Sequence, residues 1–342
     1  MEGRLFTRRR AVVGLAAVLA IASVVGLAAP AEAIVGGKPT TPFSYPYYVQ
    51  LRIYKYSSTF QYATCGGSLI DSQWVLTAAH CMTNGAQKQE IGVQALILDN
   101  CNVSAVELRI HPLWDGDVTN GHDLALLRIP NGSAHCVGSS GNQIYPRPIQ
   151  VGDVSDTGAY AAGTPATIVG HGATKAGGSA TKELRYLWTS IRSDSDMSDI
   201  YDHIWSTNWN SRLMIGAGDS QHTACNGDSG GPLTVDRSQG TVQVGVASFG
   251  HSWPSACDEA AGFARLAGPQ LAWISANVPA ANIGSCSLNY GSIPGHWTAS
   301  YSQSGTGSDA DGPYRYGFTC VRQYPTTYYA ASSSQPATSA TA

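Results

Sequence analysis

Residues Cys225 to Pro232 read C-N-G-D-S-G-G-P, and few folds accommodate three glycines, an acid and a serine packed this tightly. Glycines at 227, 230 and 231 admit backbone angles closed to residues with a Cβ, and they let another chain approach closely. Ser229 stands at the centre of the turn. A serine hydroxyl is a weak nucleophile unless a base lies within hydrogen-bond reach, so the stretch calls for a histidine and an acid from elsewhere. Both exist: T-A-A-H-C at 77–81 supplies His80, and D-L-A-L-L at 123–127 supplies Asp123. The fold must therefore gather three widely separated segments.

Short apolar or alternating runs broken by turn residues fill the chain from 43 to 150. Those at 47–53, 67–70, 74–77, 94–98, 106–110 and 124–129 read as strands, with no amphipathic helix among them. A second set follows at 166–170, 183–191, 213–215, 232–235, 242–248 and 262–266, and the Gly, Pro and Asp cluster at 138–165 reads as the connection. Such spacing suits closed antiparallel barrels, which leave no exposed edge. His80 and Asp123 fall in the first set and Ser229 in the second, so a site built from them lies across the cleft between two barrels.

The order His, Asp, Ser in these contexts, with I-V-G-G at 34–37, C-G-G-S-L-I at 65–70, S-F-G at 248–250 and a closing helix around 270–278, resembles the chymotrypsin-like (trypsin-fold) serine proteases. The likeness is to a secreted member of bacterial type and spans about residues 34–279. It implies an all-β fold: two antiparallel six-stranded β-barrels with a short C-terminal helix, here with a C-terminal appendage. It also implies a serine endopeptidase acting through an acyl-enzyme on protein or peptide substrates, with no organic cofactor or metal. His80 would serve as base and then acid, Asp123 would accept its Nδ1 proton, and the N–H groups of Gly227 and Ser229 would form an oxyanion hole. His122 is the nearest rival base, but neighbours on a strand face opposite ways. Asp115 and Asp117 lack the later ligands of a calcium loop and read as solvated.

By the same resemblance, a free amino group at Ile34 would pair with Asp228. Thr223, six positions before Ser229, would floor the primary pocket beside Ala224. Ser248, Phe249 and Gly250 would supply one wall and an edge for substrate backbone, with Phe249 where the family often has tryptophan. Ala261 or Gly262 would form the far wall. Thr223 is not acidic, so selection of Arg or Lys is disfavoured, and a small neutral pocket points to medium apolar or aromatic residues. Asp219 should point elsewhere. His171 occupies a common tryptophan position, and 192–223 matches no strong motif. Eight cysteines in an exported chain suggest four disulfides. Cys65–Cys81, as in the family, and Cys225–Cys257 are expected, with Cys101–Cys136 and Cys286–Cys320 as the remaining pairs; sequence alone leaves the connectivity open.

Export is expected from residues 1–33, where Arg8, Arg9 and Arg10 precede an apolar run and Ala31-Glu32-Ala33 offers small residues for a signal peptidase. Cleavage after Ala31 or after Ala33 fits, as does either the general secretory or the twin-arginine route. Removing the four arginines and two glutamates of this segment leaves 16 basic and 21 acidic residues, net −5. No basic face for nucleic acid results, and no other stretch is apolar enough to span a bilayer. The expected product is a secreted monomer, with a proteinaceous inhibitor admitted as a partner. Residues 280–342 form a disulfide-stapled extension whose aromatics more often pack such a small appendage than form a surface that grips polysaccharide or cell wall, with a disordered end from Ala331. Two other readings use the same residues: a catalytically silent binding protein on a protease scaffold, and an esterase with the same triad.

Overall fold

The computed structural model describes residues 34–55, 62–84, 87–88, 91–97, 101–130, 136–137, 143–144, 146–153, 156–205, 209–238, 240–251, 257–278, 281, 283–284, 298–309 and 312–323. Two β-sheets and few helices make up the body. In the strand Tyr48–Lys55, Val49, Leu51 and Ile53 are fully buried while Gln50 and Arg52 between them are only partly covered, the two-residue period of a half-buried strand. All pairings in the first sheet are antiparallel, in the order Cys101–Ser104, Ile91–Ile97, Tyr48–Lys55, Tyr62–Asp71, Trp74–Thr77, Ala125–Arg128, Glu107–Ile110.

The second sheet runs Lys38–Pro39, Arg185–Ser190, Pro165–Gly170, Pro232–Arg237, Gly240–Phe249, Gln150–Asp153, Ile283–Gly284; Ala261–Arg265 also pairs with Gly240–Phe249 and carries Met214–Ala217. Six strands per sheet is thus corrected to seven and nine, and the described pairings trace open paths rather than closed rings. The surplus consists of short segments such as Lys38–Pro39 and Ile283–Gly284, which pair with edge N–H and C=O groups that would otherwise lie bare.

The connection expected at 138–165 is corrected in part. Gln150–Asp153 joins the second sheet, parallel to Gly240–Phe249. Gly152 hides this in the sequence by breaking the apolar alternation, yet it is required: φ is +62°, and a Cβ there would stand 2.6 Å from both the Leu266 carbonyl oxygen and a Leu271 methyl.

Helix α1 (Asp194–Trp205) was not anticipated. Its start was readable: Ser193 Oγ accepts the Asp196 N–H at 3.1 Å, and Asp194 and Asp196 complement the first turn. Met197 and Tyr201, one turn apart, are its buried anchors. Helix α2 (Gly268–Asn277) falls where a closing helix was expected. Its Leu271 and Ile274 join Leu69, Leu76 and Leu126 of the first sheet in one core cluster, Trp273 meets the His111 ring edge-on at 5.0 Å, and Arg109 donates to the Asn277 carbonyl at 2.9 Å. Helix α2 therefore packs back onto the first sheet. Thr298–Asp309 and Gly312–Gln323 pair as a separate antiparallel sheet. Residues 1–33, Cys286 and the end from Ala331 lie outside the described residues, as do the side chains of Cys101, Cys136 and Cys320.

Candidate active site

The two sheets meet at the turn that carries Ser229. Gly66, in the strand Tyr62–Asp71, donates its N–H to the Ser229 carbonyl at 2.7 Å, and a Cβ on Gly66 would lie 2.8 Å from the Gly231 Cα. Two backbones can come this close only without side chains between them. Ser68 adds a second tie, donating to Gln243 Oε1 at 2.6 Å.

His80 follows the strand Trp74–Thr77 after two fully buried alanines, and Asp123 precedes Ala125–Arg128, which pairs with that strand. Adjacent strands thus present base and acid side by side. Asp123 is fully buried, and its carboxylate is divided among three donors. Oδ1 accepts the His80 backbone N–H at 2.7 Å; Oδ2 accepts His80 Nδ1 at 2.6 Å and the Ser248 hydroxyl at 2.6 Å. Burial alone would lower the His80 imidazole, but the charge and hydrogen bond of Asp123 carry it above its ordinary value. The expected pocket residue Ser248 therefore sends its side chain to Asp123, a role that the sequence reading missed.

Cys65 and Cys81 are bonded, as are Cys225 and Cys257. Cys81 Sγ lies 3.8 Å from His80 Nε2 and 3.8 Å from the Ser229 carbonyl oxygen, so the imidazole and the serine turn flank one sulfur. Ligand atoms of Cys65, His80 and Cys81 lie within 4.8 Å of one another, but the disulfide removes both sulfurs as thiolate ligands.

Within the serine turn, Asp228 N–H donates to Cys225, Gly230 N–H to Ala247 and Gly231 N–H to Asp228 carbonyls. Among the described residues no backbone partner is found for the N–H groups of Gly227 and Ser229. Gly230, at φ +79°, is wedged where a Cβ would stand 2.2 Å from Thr77 Oγ1 and 2.5 Å from the Gly66 carbonyl oxygen. Gly230→Ala is expected to destabilise the chain by about 2–4 kcal/mol, combining left-handed backbone strain with overpacking. Urea unfolding of the variant should place its midpoint well below that of the parent.

Asp228 is buried between Gly170 and Gly172, and its carboxylate accepts the Gly172 N–H at 2.7 Å and the Cys225 N–H at 2.9 Å. Burial pushes its carboxyl up to about 7 against the pull of those donors and of His171. Ile34 is fully buried, and Val35 bridges to Thr223. Thr223 is buried, with its hydroxyl unpaired among the described residues; Ala224 packs on the second sheet's core. Asp219 turns to the Gln221 N–H and the His222 ring. The His122 ring stacks on His111 at 5.0 Å.

Phe249 and Gly262 are cross-strand partners, and the Phe249 ring covers Gly262 so closely that a Cβ there would sit 2.3 Å from it. Phe249 also meets Tyr201 of α1 edge-on at 5.1 Å. Gly262 is therefore committed to the α1 side, and Ala261, on the opposite face, packs with the core around Phe263. Gly250 has open space at its Cβ position.

This arrangement has relatives. The trypsin family model matches residues 34–274. Chymotrypsin-like elastase family member 3B of Homo sapiens is 31% identical over 236 residues, covering 64% of this chain and 79% of that protein. Proproteinase E of Bos taurus is 29% identical over 233 residues, covering 64% and 85%. A solved structure of HL collagenase superposes with a TM-score of 0.56 at 24% identity, covering 72% of this chain and 99% of that one, a likeness of fold. The chain belongs to the trypsin family of chymotrypsin-like serine endopeptidases.

Proposed function

We propose that the chain is a secreted endopeptidase whose residues 34–279 cleave peptide bonds by means of Ser229, His80 and Asp123, after removal of a targeting segment at 1–33 and with an extension at 280–342. His80 Nε2 takes the Ser229 proton as Oγ attacks the carbonyl carbon; the oxygen that becomes negative is held by the Gly227 and Ser229 N–H groups. Collapse of this intermediate passes the proton from His80 to the leaving amine and leaves an acyl-enzyme, which water, deprotonated by His80, then hydrolyses. One observation carries the reading: a single buried carboxylate, Asp123, fixes His80 at both its backbone and its ring, beside the turn bearing Ser229.

Cleavage before Ile34 would free an ammonium group to pair with the buried Asp228 carboxylate, whose charge otherwise has, among the described residues, neutral donors and His171 to offset desolvation. The substrate side chain would enter beside Thr223, Ala224 and Gly250, whose neutral character favours medium apolar residues over Arg or Lys. Labelling the secreted protein with a fluorophosphonate, with N-terminal sequencing of the same sample, tests the whole reading. Label on Ser229 in chains that begin at Ile34 is expected; unlabelled chains with that N-terminus would overturn it in favour of a silent scaffold.

Ser248→Ala removes one donor from Asp123 without touching His80. A roughly tenfold fall in kcat/KM is expected, the worth of one hydrogen bond to a charged group. Steady-state kinetics should place the loss in kcat rather than KM.

A further inference from the structure

Away from the triad, strand register builds a second recognition surface on the second sheet. Trp188 is the cross-strand partner of Thr167, and Thr167 that of Thr234, so the three stand in a row across adjacent strands on one face. Asp236, two residues beyond Thr234, shares that face and is paired with Thr241, whose hydroxyl donates to its Oδ1 at 2.7 Å. Together with Ser44, Tyr45 and Tyr47 these residues line a cleft of about 210 Å³.

The walls are aromatic and the floor hydroxylic. Trp188 is 68% exposed, the largest exposure among the described large apolar residues. An indole held so far out of the core leaves apolar area that a ligand can cover. It is also held in place: the Tyr186 ring meets it edge-on at 5.1 Å and Lys38 Nζ lies 5.5 Å over its ring. Burial, Tyr186 and Asp236 push the Tyr45 hydroxyl up to about 12, so it remains a protonated donor at neutral pH.

We propose that this cleft binds one pyranose ring of a polysaccharide, the C–H face of the sugar stacking on Trp188 and its hydroxyls meeting Thr241 and Asp236, while the buried Thr234 hydroxyl stays bonded to the Thr167 carbonyl at 3.3 Å. A sugar is apolar on its faces and rich in donors and acceptors at its rim, which is the distribution found here. The volume suits a single ring and falls below that of ordinary drug-sized sites. A proline-rich peptide would use the aromatic residues but leave the hydroxyls and the carboxylate unmatched, at a cost for each polar group desolvated. The site would hold the peptidase on a glycan while the triad acts on protein, and it does not depend on the catalytic reading.

Calorimetric titration of the secreted protein with chitohexaose, cellohexaose, maltohexaose and decaproline tests this. At least one hexaose should bind, and Trp188→Ala should weaken it by roughly tenfold or more, the equivalent of one lost stacking contact. Trp188→Tyr should retain most of the binding, and Asp236→Asn should weaken it without abolishing it. Cleavage of a short chromogenic peptide should stay within about twofold in all three variants, which also reports that they fold. The proposal is overturned if no hexaose binds, if decaproline alone binds, or if a hexaose binds Trp188→Ala and the parent equally, as capture by the 280–342 extension would give.

Discussion

Ser229→Ala is expected to lower kcat on a peptide substrate by about a millionfold while leaving the fold intact, since the members of such a triad act as a unit and losing the nucleophile removes the acyl-enzyme route. Only Oγ is deleted. The Ser229 carbonyl still accepts from Gly66, Gly230 still donates to Ala247, and Gly231 to Asp228, so the turn retains its backbone ties. The melting temperature should therefore move by no more than a few degrees, in contrast to Gly230→Ala in the same turn. Any residual turnover should come from oriented N–H donors acting on water attack, and no fluorophosphonate should attach. Turnover within about a hundredfold of the parent would mean that another group is the nucleophile.

The serine turn was legible because its constraints are local: Gly227 and Gly230 answer to left-handed backbone angles and Gly231 to the close approach of Gly66, and such demands survive in eight letters. The strands were legible for the same reason, as with Val49, Leu51 and Ile53, whose burial alternates with their neighbours. What stayed hidden depends on distant partners. Ser248 lies 125 positions from the carboxylate that its hydroxyl serves, and nothing near it marks that bond. Gly262 likewise owes its surroundings to its cross-strand partner Phe249, which nothing in its local sequence marks. Gln150–Asp153 gains its place from parallel neighbours on both sides, a context no local period reports. Helix α1 is a different case: Ser193, Asp196, Met197 and Tyr201 carried a cap and a buried stripe in the letters, but polar residues between them diluted the signal.

The hydrogen bonds around Asp123 also fix what an amide there must do. In Asp123→Asn the side chain offers one oxygen and one NH2 in place of two oxygens. The oxygen must face the His80 backbone N–H, a donor that cannot turn away, at the position now held by Oδ1. The NH2 then faces His80 Nδ1 and Ser248 Oγ. The Ser248 hydroxyl can rotate to accept, but the imidazole can accept only by moving its proton to Nε2, the atom that should take the Ser229 proton. Activity is expected to fall by about ten-thousandfold, with the fold retained because every polar atom still finds a partner. The pH profile separates this from simple loss of structure. Asp123 raises the His80 pKa, so in the parent kcat/KM should fall on acidification through that raised value as the base protonates. With the charge gone, burial is unopposed and the acid limb of the remaining activity should shift to lower pH. An Asn variant that keeps the parent's acid limb and loses less than tenfold in rate would mean that another acid holds His80.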